Sequence, residues 1–187
     1  MKFLNGEEEV RLRRVLVDRP NCLSQLDIAL QTGMRKGEQF TVTPDQVDFK
    51  QRNIYLIKTK NGSDRYVHLN TEALSVLKKL IATRKELGLG LDDTLFFGRN
   101  KAPIADPSEW FDNAVAEAKI ENVTWHTLRH TFASRLVMKG ASHKTVQTLM
   151  GHKTIAMTVR YAHLSPEHQL QALELLLPRT APKTLGT

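Results

Sequence analysis

Between Thr124 and Leu164 the sequence places His126, Arg129, His152 and Tyr161 at spacings that suit one anionic site. No Asp or Glu falls between Glu121 and Glu167, a run of 45 residues rich in His, Lys and Arg. Hard metal ions take oxygen ligands, carboxylates foremost, so this stretch is suited to surround negative charge rather than to chelate. His126 and Arg129 are three apart on a predicted helix and share a face. Two cations upstream complete the candidate set. Arg35 stands just beyond a predicted buried helix, and Lys60 stands at the mouth of a hairpin signalled by Asn61-Gly62.

Phosphoryl transfer is the chemistry that uses such a set. Arginines give paired hydrogen bonds to phosphate oxygens, and positioned cations stabilise the charge that spreads over the equatorial oxygens. Histidine donates to a non-bridging oxygen or shuttles a proton. Lysine protonates a leaving alkoxide, and tyrosine serves as a nucleophile that forms a covalent phosphotyrosyl link. The ordinary phenol pKa is about 10, and a cationic pocket is expected to favour phenolate. No metal or cofactor is required by this scheme.

The elements that must position these residues follow from periodicity and stop signals. Residues 6–19 predict a helix with Val10, Leu12, Val15 and Leu16 inward, ended by Pro20. Leu23 to Thr32 predicts a second, buried helix with Gly33 as its stop. Residues 39–43, 53–58 and 65–69 alternate as strands, the last two joined through the Asn-Gly turn. Residues 71–87 predict an amphipathic helix with Leu74, Leu77, Leu80 and Ile81 inward and Lys78, Lys79, Arg84 and Lys85 outward. Leu95-Phe96-Phe97 reads as a buried run, and 107–119 as a helix carrying Trp110 and Phe111 on its core face. Helices follow at 126–139, stopped by Gly140, and from a Ser142 cap to Met150, stopped by Gly151. Thr154 is expected to cap the short helix before Tyr161. Residues 167–177 predict a leucine-rich helix, and Arg179 onward a loose tail.

Composition fits this picture. The 187 residues suit one domain with a real core, and the net charge of +7 favours a polyanionic partner, nucleic acid before membrane. The charge is uneven: residues 119–187 hold nine Lys/Arg against three Asp/Glu, and six of the seven histidines. Cys22 is the only cysteine, so no intramolecular disulfide forms and a cytoplasmic setting is expected, with Cys22 as a core filler. No apolar run approaches the ~20 residues of a membrane span. Glu7, Glu8 and Glu9 break any signal-peptide pattern.

At these residues the chain resembles the catalytic domain of the tyrosine recombinases, the phage integrase family. The matching segments are Thr32 to Glu38, Thr59 to Gly62, His126 to Ala133, Leu149 to His152 and Thr158 to His163, in the family's order. Met150 stands where the family more often has leucine. The resemblance spans roughly residues 4–170 and implies an α+β fold, mostly helical, with a small antiparallel sheet near residues 39–69. It implies a catalytic domain over 1–178, followed by a flexible tail over 179–187. The family usually has an N-terminal DNA-binding domain, but the catalytic pattern here begins within the first few residues, so that domain is expected to be absent from this chain. It also implies roles. Arg35 and Arg129 would clamp the scissile phosphate, His126 and His152 would bond it and aid proton transfer, and Lys60 would protonate the 5′-hydroxyl leaving group. Tyr161 would attack to leave a 3′-phosphotyrosyl intermediate. The expected partner is double-stranded DNA at specific sites, with a homotetramer on DNA and a monomer possible without it, and no membrane. Glu38 is expected to brace the arginine loop by an ion pair.

Three other readings compete. His126 and His130, four apart, could bind zinc, but the metalloprotease glutamate is absent; local packing or hydrogen bonding is the expectation for His130. Residues 126–150 imitate a helix-turn-helix that would read DNA without cutting it. That reading leaves Arg35 and Tyr161 without a task and meets an apolar second helix at Val146, Leu149 and Met150. A type IB topoisomerase would share related chemistry.

Overall fold

The computed structural model describes residues 2–57, 64–90, 93–98, 100–104 and 106–164. Lys60, the predicted helix at 167–177 and the tail at 179–187 lie outside the described residues. Helix α1 (Gly6–Val15) opens with a reciprocal cap: Asn5 Oδ1 accepts the Glu8 N–H at 2.9 Å, and Glu8 Oε2 accepts the Asn5 N–H at 3.0 Å. It ends four residues earlier than its sequence pattern suggests. Pro20 does not terminate it but starts α2 (Pro20–Thr32), where a missing N–H costs nothing. Val10, expected inward, is exposed; Leu12 and Leu16 carry the buried face.

Helix α2 is the central element and packs against both α4 (Thr71–Glu86) and α6 (Trp125–Met138). Its stop is steric as well as conformational. Gly33 takes φ 61°, and a Cβ there would lie 2.3 Å from Cδ1 of Phe132 on α6. The expected strand at 39–43 is absent. Helix α3 (Lys36–Gln39) runs into it, because Glu38 bonds back to the Arg35 N–H and the Phe40 N–H bonds the Lys36 carbonyl. Phe40 and Val42 are buried as alternation demands, so period two here marks burial and not a ladder. The sheet begins later, with β1 (Val47–Asp48), β2 (Asn53–Leu56) and β3 (Arg65–His68) in that antiparallel order. Ile54 pairs with Val67 and Leu56 with Arg65, so Arg65 shares the inward face of the hairpin.

Arg84 also departs from expectation. It is buried at 2% exposure, and its guanidinium donates to the carbonyls of Gly90, Asp93 and Thr94, closing the loop after α4. Leu95, Phe96 and Phe97 are buried as predicted. Trp125, the first residue of α6, packs on Phe40, on Phe111 and on Trp110, which with Phe111 belongs to α5 (Ser108–Glu117). That aromatic cluster pins the end of α6 from which His126 and Arg129 project.

A smaller core lies beyond the main one. It joins Ala133 and Val137 of α6 to Val146 and Met150 of α7 (His143–Met150), together with Tyr161. Ser142 caps α7, its hydroxyl accepting the Thr145 N–H at 3.1 Å. Thr154 does not cap α8 (Ala156–Val159); the cap position is Ile155, which has no side chain able to accept. Among the described residues no helix is long and apolar enough to cross a membrane. Gly33→Ala should destabilise the chain by at least about 1 kcal/mol, through the left-handed backbone and the Phe132 clash together. Urea unfolding measures this, and an unchanged midpoint would contradict the packing described.

Candidate active site

Three arginines meet at the C-terminal end of α7. Arg65 Nη1 donates to the Leu149 carbonyl at 3.3 Å, Arg129 Nη2 to the Met150 carbonyl, and Arg35 Nη2 to the Gly151 carbonyl at 3.3 Å. Helix ends leave such carbonyls without intrahelical partners and carry partial negative charge, so cations are favoured there. Arg129 Nη1 also donates to the carbonyl of Gly33 at the end of α2. At 4% exposure Arg129 has a carbonyl from each of two helix termini. Burial, then the neighbouring Arg35, pulls its pKa down to about 10, which leaves it charged at neutral pH.

Glu38 joins the other two cations. Its carboxylate accepts from Arg35 Nη1 at 2.7 Å and from Arg65 Nη2 at 2.8 Å, and also holds the Arg35 backbone N–H at 2.8 Å. The expected ion pair to Arg35 is present, and Arg65 is a second partner. Burial alone would raise the Glu38 carboxyl; the bonds from Arg65 and then Arg35 outweigh it and hold the group below its ordinary value. Gly151 makes room for this arrangement, since a Cβ there would come within 2.9 Å of Arg65 Cδ, and its φ is 60°.

The histidines and the tyrosine complete the cluster. His152 follows Gly151, and its Nδ1 lies 2.9 Å from the Thr158 hydroxyl. Burial, then Arg129 and Arg35, lowers its pKa to about 4. His126 is lowered for the same reasons in the same order. Its ring packs edge-on against His130 with centroids 4.6 Å apart. His130 Nδ1 lies 2.7 Å from the Tyr161 hydroxyl, a hydrogen bond to a residue 31 positions away rather than a local one, and burial, then His126, takes its pKa to about 4. Among the described residues no group of three or more His, Cys, Asp or Glu comes together as a metal site would need.

Tyr161 reverses one expectation. Arg129 and Arg160 favour phenolate, but burial at 1% exposure outweighs them and the phenol is raised above its ordinary value. The structure thus gathers Arg35, His126, Arg129, His152 and Tyr161 about the end of α7. Arg65 and Thr158 were missed as site residues. Arg65 had a signal, its closeness in sequence to Lys60 across the predicted Asn-Gly turn; Thr158 had its place at the start of the matched segment Thr158 to His163.

The integrase family model matches residues 2–168 of this chain. The chain belongs to the phage integrase family. Among its relatives, the tyrosine recombinase XerC of Thermodesulfovibrio yellowstonii is 29% identical over 157 residues, covering 80% of this chain and 52% of the relative. The integrase of Haemophilus phage HP1 is 33% identical over 150 residues, covering 79% of this chain and 38% of the relative. This family member therefore spans about half or less of the length of those relatives. The solved structure of the bacteriophage HP1 integrase catalytic domain superposes with a TM-score of 0.74 at 31% identity, covering 94% of this chain and 95% of that one. The Tn1549 transposon integrase in complex with circular intermediate DNA gives 0.76 at 25% identity, covering 95% and 67%. The fold is that of a tyrosine recombinase catalytic domain, α+β and mostly helical, as its sequence implies.

Glu38 is the joint of the integrase arginine cluster, and its removal is directly measurable. A carboxyl lowered in the folded state contributes stability that is present above its unfolded value and is lost as pH falls through the folded one. The Glu38 contribution should therefore fade below the ordinary value of 4.5. Glu38→Gln should cost roughly 2 kcal/mol at pH 7 and remove that component of the acid dependence. Denaturant melts of both proteins from pH 7 to pH 3 check it; parallel curves would rule the carboxylate out as the joint.

Proposed function

We propose that this chain cuts and rejoins double-stranded DNA as the catalytic part of a site-specific tyrosine recombinase. The observation that carries the reading is the set of guanidiniums on successive carbonyls of α7, with His152 next in the chain and Tyr161 packed beside it. Supporting it are family membership and the DNA complex of the Tn1549 integrase.

Arg35 and Arg129 hold the non-bridging oxygens of the scissile phosphate, and neutral His126 and His152 complete its contacts. The Tyr161 oxygen attacks phosphorus, the bond to the 5′-oxygen breaks, and Lys60 supplies the proton to that leaving oxygen. The phenol proton passes to a neutral imidazole, for which His126 is the candidate. The product is a 3′-phosphotyrosyl link and a free 5′-hydroxyl. A 5′-hydroxyl from another strand then displaces the tyrosine, so the bond energy is conserved and no nucleotide cofactor is consumed. Attack requires the Tyr161 hydroxyl to leave His130, because a fully buried phenol meets no DNA. Exchange between two sites needs several copies, and a homotetramer on DNA is the assembly we attach to this reading.

A helix-turn-helix reader is disfavoured by α7 itself, whose Val146 and Met150 are spent in the small core. The test uses a nicked duplex built from the DNA that flanks the gene. A covalent protein–DNA adduct should form in EDTA. Tyr161→Phe should abolish it while DNA affinity changes by less than about threefold. Adduct formed by the phenylalanine variant would overturn the assignment of the nucleophile.

A further inference from the structure

We propose that Thr158 is a positioning residue for this reaction: its hydroxyl selects the His152 tautomer that carries its proton on Nε2, the nitrogen left to meet the phosphate. The inference rests on the role assigned to His152 under the reading above, and it is argued from three observations.

First, Thr158 is fully buried, yet its side chain is polar. The hydrogen bond of its hydroxyl is to His152 Nδ1, at 2.9 Å. A buried hydroxyl proton needs an acceptor. If the imidazole carried its proton on Nδ1, two protons would face each other across this bond, or the threonine proton would turn to an unpaired position. With Nδ1 as acceptor the bond is satisfied, and Nε2 carries the N–H.

Second, His152 is neutral, so the tautomer matters. Arg129, Arg35, Arg160 and Arg65 surround it, and with burial they hold its pKa near 4. A protonated imidazole donates from both nitrogens and needs no selection; a neutral one donates from only one. A phosphate oxygen accepts and does not donate. The wrong tautomer would set a lone pair against phosphate oxygen.

Third, the backbone on both sides of the contact is fixed. The His152 N–H donates to the Gln147 carbonyl at 3.1 Å, and Gln147 Nε2 donates back to the His152 carbonyl at 3.3 Å. Thr158 in turn accepts the Tyr161 N–H on its own carbonyl at 3.0 Å. One residue therefore sets the donor state of His152 and closes the turn that carries the nucleophile. His152 is competent to donate while Thr158 stays in place, so the Tyr161 side chain has to leave His130 without displacing Thr158.

The test compares Thr158→Val, which keeps the volume and removes the hydroxyl, with Thr158→Ser, which keeps the hydroxyl. Long-range proton–nitrogen correlation spectra of the histidine-labelled chain at pH 7, without DNA, read the tautomer directly. Wild type and Thr158→Ser should show His152 protonated on Nε2; Thr158→Val should show a mixture or the Nδ1 form. On the nicked duplex, Thr158→Val should form adduct about tenfold more slowly or worse at unchanged DNA affinity, and Thr158→Ser should restore the rate. A merely structural role would not move the tautomer and would not separate valine from serine. An unchanged tautomer in Thr158→Val, or equal slowing in both variants, overturns the proposal. Should the valine protein fail to fold, Thr158→Ala is read by the same spectrum and the same criterion. If wild type forms no adduct at all, the recombinase reading falls while the spectra still decide the tautomer.

Discussion

The end of helix α7 is where the charge of this molecule is held in place. Three positive side chains converge there, from the loop after α2, from β3 and from α6, and each donates to one of the carbonyls of Leu149, Met150 and Gly151. Guanidiniums brought this close repel one another, and Arg129 pays for burial as well. Helix-terminal carbonyls offset both, since they lack internal partners and concentrate the negative end of the helix dipole. Glu38 supplies the one full negative charge, shared between Arg35 and Arg65. Arg129 donates instead to helix-end carbonyls, and Glu38 acts on it only through space.

The remaining chemistry is attached to the same helix end. Gly151 turns the chain in a left-handed conformation where Arg65 leaves no room for a Cβ, and His152 is delivered next to the cations. The segment that follows returns through Thr158 to Tyr161, which fills the small core between α6 and α7. That core encloses the Tyr161 ring. Its hydroxyl is bonded to His130 and its phenol is stabilised in the neutral form by burial. The phenol is thereby kept protonated and covered.

Much of this was legible in the residues. Gly33, Gly140 and Gly151 marked helix stops and Ser142 marked a cap, because each signal is local and depends on one or two backbone angles. Where a residue's meaning depended on distant partners, the local pattern misled. Pro20 reads equally well as the end of one helix or the start of the next. Phe40 and Val42 alternate as in a strand, yet both are buried without a ladder, Phe40 against Phe96 and Trp125. Arg84 looks like a solvated helix residue and is instead bonded to the carbonyls of a loop it closes.

By itself the sequence determined the chemical inventory: the cations, the imidazoles, the phenol, and a stretch free of carboxylates that makes them useful together. It also determined the short-range geometry, such as His126 and Arg129 on one helical face. Only the tertiary structure decided which groups are paired and which are free to act. That Glu38 belongs to two arginines, that Arg129 rests on two helix ends, and that Tyr161 is held by His130 all arise between residues 3 to 96 positions apart. Hydrogen bonding and desolvation depend on distance in space. A chain read residue by residue fixes that distance only within a turn or two of helix; beyond it, packing decides.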